Sequence, residues 1–203
     1  LKSCLRLSIL MSKNLLLFHK PYGVLCQFSG STPNLATFIT AKGFYAAGRL
    51  DKNSEGLLAL TNSGTLQARI TEPKHKMAKS YWVEVEGTCS EEALQALRSG
   101  LRLSDGMTRP VQAEMIEAPL PGRNPPVRVR RAQATSWLNI TLKEGRNRQI
   151  RRMTAHIGYP TLRLFRHQIG PWSIDQLRPG DWSEHTVHLP QPSRQTNRPM
   201  RPL

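Results

Sequence analysis

The sequence is compatible with an α+β domain, on two observations. Stretches with the alternation or continuous apolar character of strands fall at 57–60, 79–87, 111–116 and 136–142, and stretches of helical spacing lie between and after them at 65–70, 90–98 and 147–157. Glycine, proline and Asx residues punctuate nearly every junction. With 203 residues the chain can bury a substantial core, as one domain or as two small lobes.

In chain order, the apolar run 15–18 stops at His19-Lys20-Pro21-Tyr22-Gly23, a strand followed by a turn. Residues 33–39 are predicted helical, with Leu35, Phe38 and Ile39 facing inward. Residues 57–60 read as a buried strand that ends at Asn62-Ser63-Gly64. The spacing of Leu66 and Ile70 predicts a helix, which Pro73 closes. Lys74, His75, Lys76 and Lys79 form a basic run, either a solvated loop or an RNA contact. In KSYWVEVEG (79–87) Tyr81, Val83 and Val85 take the apolar side of a half-buried strand. Ser90 is a fitting N-cap for the helix over 90–98, and Gly100 follows its end.

Strands are predicted at 101–103 and 111–116. Residues 118–135, with four prolines and four arginines, lack the composition of a core and read as a basic surface loop able to touch RNA. After the alternating strand 136–142 comes KEGRNRQIRRM (143–153). There Asn147 is a fitting N-cap, and Ile150, Met153 and Ile157 lie at helical spacing. Arg148, Arg151 and Arg152 share a face beside that apolar stripe. Closing strands are predicted at 162–165 and 168–172, and residues 177–182 form a turn. The proline-rich, basic segment 190–203 is expected to be a disordered tail.

Charge narrows the function. Lys and Arg number 29 against 14 Asp and Glu, a net charge of +15, which points to a polyanionic partner bound with salt-dependent affinity. The cysteines, Cys4, Cys26 and Cys89, are too scattered for a disulfide framework or a zinc site. The first residues pair a short apolar run with a little positive charge, but Arg6 and Ser8 interrupt it, so residues 1–13 are expected to be a flexible extension rather than a signal peptide. No segment approaches the length of a membrane span, and a cytoplasmic monomer without membrane attachment is expected.

The stretch that organises the chain is GRLDKNSEGLLALTN (48–62), which sets the single acid Asp51 inside a basic, turn-forming loop. In isolation such an Asp reads as a turn residue or cap more readily than as a catalyst. The pattern Gly48-Arg49-Leu50-Asp51, then Ser54 and Gly56, an apolar strand and Thr61-Asn62, resembles the signature loop of the pseudouridine synthases, in the branch that modifies ribosomal RNA at single sites. Two further blocks in the same order, Lys79-Ser80-Tyr81 with its alternating valines and 143–153, extend the resemblance to residues 14–187.

That resemblance implies a pseudouridine synthase fold over 14–189: a mixed, largely antiparallel central sheet with flanking helices and a central cleft. Only about 14 residues precede it, too few for the small RNA-binding module of the S4 type carried by many relatives. The implied reaction is isomerisation of one uridine to pseudouridine in large-subunit (23S) ribosomal RNA or an assembly intermediate of that subunit, with no cofactor and no metal. Asp51 would be the catalytic carboxylate, as nucleophile at the anomeric carbon or as base at the neighbouring ribose proton. The resemblance further implies that Tyr81 stacks on the extruded uracil and that Ile150 caps its other side. It assigns Arg151 to hold Asp51 as an anion through a bidentate pair, and Arg49, Arg148, Gln149 and Arg152 to the RNA. Two rivals remain: an inert RNA-binding protein, which composition alone allows, and a metal-independent glycosidase, with Glu55 the only local candidate for a second acid, or a nuclease, whose metal-dependent form would need clustered carboxylates that the sequence lacks.

Overall fold

The computed structural model describes residues 13–75, 77–127 and 134–189. The expectations for residues 1–12, Lys76, 128–133 and the tail at 190–203 lie outside them. In order, the elements are β1 (Leu15–Lys20), a 3-10 turn (Leu35–Thr37), β2 (Tyr45–Ala46), β3 (Glu55–Thr61), α1 (Gly64–Thr71), a second 3-10 turn (Pro73–His75), β4 (Lys79–Glu86) and α2 (Glu91–Ser99). There follow β5 (Arg102–Leu103), β6 (Gly106–Met107), β7 (Gln112–Ile116), β8 (Thr135–Leu142), α3 (Gln149–His156), β9 (Thr161–Ile169), β10 (Trp172–Ser173) and β11 (Trp182–His185).

The architecture is α+β. One mixed sheet runs β11-β1-β3-β9-β4-β8-β7, with β2 added to β3 and β10 to β9; β5 and β6 form a separate hairpin. Its pairings are antiparallel except at the centre, where β3 and β9 run parallel through Glu55↔Phe165 and Gly56↔Arg166. Strands β1 and β3 are buried at every residue because apolar layers cover both of their faces. Strands β4 and β8 alternate instead. Their residues Tyr81, Val83, Val85, Leu138, Ile140 and Leu142 pack under α2 and α3, which contribute Leu94, Leu97, Ile150 and Met153.

Four sequence expectations need correction. Residues 33–39 make only one 3-10 turn, because 25–35 is drawn into an extended pairing: Leu25 N donates to Pro33 O and Leu35 N to Gln27 O, which leaves Asn34 to cap what remains. The two closing strands are one, β9. Its Arg163 and Arg166 side chains are buried. Strand β11, which pairs with β1, carries no sequence signal of its own. In the loop after β7 the described part is pinned rather than free, with Leu120 packed on the core, Pro121 O accepting from Arg163 and the Arg123 guanidinium 3.7 Å over the Tyr22 ring. No helix among the described residues is long and apolar enough to cross a membrane.

Gly56 explains why the central seam can close. Its φ is +101°, and a Cβ there would stand 2.3 Å from Arg166 O on the parallel neighbour. Gly56→Ala should therefore cost at least about 3 kcal/mol of stability through backbone strain and loss of the β3–β9 pairing. Urea unfolding checks this, with a lowered midpoint or an insoluble protein expected.

Candidate active site

The loop carrying Asp51 leads directly into β3, and its backbone is held from outside at Leu50, Lys52 and Asn53. Leu50 N donates to the Cys26 sulfur at 3.3 Å, and Ser54 N closes a turn on Asp51 O at 3.0 Å. Lys52 O accepts from Gly23 N at 2.9 Å and from Lys20 Nζ at 3.4 Å, while Asn53 O accepts from Arg151 Nη2 at 2.9 Å. The loop cannot shift without breaking contacts to three other segments.

Lys20 is the piece that sequence reasoning missed. Fully buried at the end of β1, its ammonium also donates to Pro21 O and Val24 O, both at 2.9 Å, and so joins the turn after β1 to the Asp51 loop. Burial pulls its pKa down to about 8. The available signal was a charge ending a continuous apolar strand, a position where only a satisfied lysine can sit.

The Asp51 carboxylate opens into a cleft lined by Arg49, Leu50, Tyr81, Ile150 and Leu164 among others. Tyr81 and Ile150 are nearly buried at the cleft wall, Tyr81 on β4 and Ile150 in the first turn of α3. Asp51 itself is partly open to solvent, its side chain 33 % exposed, rather than the buried anion of a closed site.

The arginines divide differently from the expectation. Arg148 Nη1 donates to Asp51 Oδ2 at 3.0 Å, whereas Arg151 Nε stands 4.0 Å from the same oxygen. In this state the pair with Arg151 is thus an ion pair without a hydrogen bond, and the expected bidentate geometry is absent. Helix α3 starts one residue later than Asn147 would have capped it: Arg148, with left-handed φ of +46°, takes the N-cap position without a side-chain cap. Arg148 consequently leaves the helical face and turns to Asp51. Burial, then the neighbouring Arg148, draws the Arg151 pKa down, and Asp51 opposes that. Arg152 forks onto Asp105 at 2.8 Å to both oxygens. Gln149 is buried, its amide bonded to Glu144 Oε1 and Arg146 N, so its side chain braces the loop before α3 while also lining the cleft.

Glu55, the second acid of the glycosidase reading, is not available for proton transfer. It lies buried in a bidentate pair with Arg163, 2.9 Å for both contacts, with Arg123 at 3.9 Å. That pair joins β3 to β9.

The family of RNA pseudouridylate synthases matches the chain over residues 14–156. A ribosomal large subunit pseudouridine synthase E from Vibrio vulnificus is 54% identical over 184 residues, 89% of this chain and 78% of that protein. The protein of the same name from Xanthomonas campestris pv. campestris is 52% identical over 186 residues, 89% of this chain and 100% of its own length. A crystal structure of a pseudouridylate synthase superposes with a TM-score of 0.73 at 27% identity, covering 88% of this chain and 72% of that one.

Two outcomes test the site's scaffold. Glu55→Gln should lose about 3–5 kcal/mol in urea unfolding by leaving Arg163 a buried charge without its partner, while the folded fraction keeps turnover within a few-fold. Lys20 and Lys79 both have pKa values lowered to about 8 by burial, against an ordinary 10.5. Between those values the unfolded chain binds more protons, so stability should rise with pH from about 8 to 10. Urea midpoints across that range should show the rise, and Lys79→Met should reduce it by about half, leaving the part due to Lys20.

Proposed function

Because this chain belongs to the RNA pseudouridylate synthase family, we propose that it converts one uridine of large-subunit ribosomal RNA to pseudouridine, as the relatives named for that subunit do. The observation that carries the reading is the placement of one carboxylate, on an immobilised loop between two guanidinium groups, at the mouth of a cleft walled by an aromatic and an aliphatic side chain.

In the reaction the bond from ribose C1′ to uracil N1 breaks, the base turns, and a bond from C1′ to C5 forms; the proton leaving C5 is balanced by one gained at N1. Asp51 serves either as nucleophile at C1′ or as the base that takes the neighbouring ribose proton. Both roles need an ionised carboxylate, and the guanidinium groups of Arg148 and Arg151 stand 3.0 and 4.0 Å from its Oδ2. A base within a helix cannot bring C1′ to a side chain, so the nucleotide is extruded at a cost of a few kcal/mol. Tyr81 then offers a stacking surface, with Ile150 across the cleft and Arg49 beside it for a phosphate or for the space left in the RNA. The net charge of +15 supplies affinity for phosphates that is independent of sequence. We place the enzyme in the cytoplasm as a monomer, with residues 14–189 as its catalytic domain.

Replacing Asp51 by Asn should reduce tritium release from RNA carrying C5-tritiated uridine by at least about 10³-fold, with RNA affinity within about threefold of the parent. Release at the parent rate would end the catalytic assignment. Loss of affinity alongside release would instead give Asp51 a structural task.

A further inference from the structure

Two guanidinium groups face one oxygen of Asp51, and they differ in what they would lose by leaving it. Arg148 makes a single contact, Nη1 to Oδ2 at 3.0 Å, from a side chain that is 45% exposed. Arg151 is only 11% exposed, is anchored by Nη2 on Asn53 O, and its Nε is buried with no hydrogen-bond partner, 4.0 Å from the same carboxylate oxygen. A buried donor without an acceptor is costly, and the acceptor that would complete it is Asp51.

The neighbouring arginines sharpen the contrast. Arg152 is forked on both oxygens of Asp105, and Arg146 donates to Asp105, Gly106 O and Met107 O on the β5–β6 hairpin. Arg148 has one exposed contact and a backbone conformation that L residues rarely adopt. It also lines both the Tyr81 cleft and the adjoining groove formed by Tyr22, Gly23, Lys52 and Asn53. Its guanidinium therefore stands over the carboxylate at the junction a ribose and its flanking phosphates must cross.

Resting on the function proposed above, we infer that Arg148 is a displaceable cap on Asp51. Without RNA it holds the carboxylate. When the target nucleotide enters, Arg148 moves to a backbone phosphate beside it, and Asp51 closes by about 1 Å onto Arg151 Nε, turning a contact at 4.0 Å into a hydrogen bond. A surface ion pair is readily exchanged, whereas the pair with Arg151 forms in a more buried place and is the stronger of the two. The exchange makes a free carboxylate oxygen conditional on a phosphate, which favours RNA over an isolated nucleoside.

The test measures equilibrium binding and single-turnover tritium release against KCl, using unmodified large-subunit rRNA, naked or in assembled particles, whichever the parent enzyme modifies. Arg148→Ala should weaken binding by about 3–10-fold near 0.1 M salt and reduce the slope of log affinity against log salt by about one, because one phosphate contact is lost. Its rate at saturating RNA should fall by less than about tenfold. Arg148→Lys should restore the slope, and Arg151→Met should lower the saturating rate by at least about 100-fold with the slope kept. Thermal melts establish that each variant is folded. An unchanged slope for Arg148→Ala, or a saturating rate as low as that of Arg151→Met, would overturn the exchange, since Arg148 would then be a bystander or the standing partner of Asp51. Absence of turnover in the parent enzyme would sink the functional reading itself.

Discussion

The site depends on backbone carbonyl groups of the loop at 50–54 being claimed by donors from elsewhere in the chain. Lys20 and Gly23 take Lys52 O, and Arg151 takes Asn53 O. A carboxylate on a free loop would spend its affinity for a ribose on ordering itself. Here that ordering is built in when the fold forms, so the cleft can present Asp51 at a fixed point relative to Tyr81 and Ile150. The charge on Lys20 is what makes the clamp possible, and burial makes that same charge costly, a balance that only three nearby carbonyls allow.

The central seam supplies the second constraint. Strands β3 and β9 approach so closely that Gly56 is required, and on either side of the contact charged side chains are buried: Glu55 pairs with Arg163, and Arg166 Nε donates to Leu57 O at 2.8 Å. Because β3 begins where the Asp51 loop ends and α3 feeds β9, this one pairing brings the carboxylate and the arginines of α3 to the same end of the sheet. The catalytic geometry is thus a consequence of sheet register as much as of the residues in the motif.

Much of this was legible in the sequence because it is local. Alternation in 79–87 placed Tyr81 on the covered face, apolar continuity marked β3, and helical spacing placed Ile150 and Met153 in the core. The misreadings share a different cause: a distant partner decided the outcome. The closing strand was read as two pieces, and the partners of its Arg163 and Arg166, Glu55 and Leu57 O, lie more than a hundred positions earlier. Likewise residues 118–135 read as a basic surface loop, and its contacts with Arg163 and Tyr22, which tie its described part to the sheet, come from distant segments. Arg148 escaped for a third reason. A helix that starts one residue late rotates that side chain off the predicted face, and no pattern of residue types marks a single left-handed residue that is not glycine.

The most direct measurement is a structure of this protein bound to an RNA fragment that carries the target uridine. The expected result is a uridine swung out of its helix, its base against Tyr81 and its C1′ within about 3.5 Å of an Asp51 carboxylate oxygen. A uridine still stacked in the RNA, or an Asp51 separated from the ribose by a layer of solvent, would contradict the central claim that this loop holds the working carboxylate.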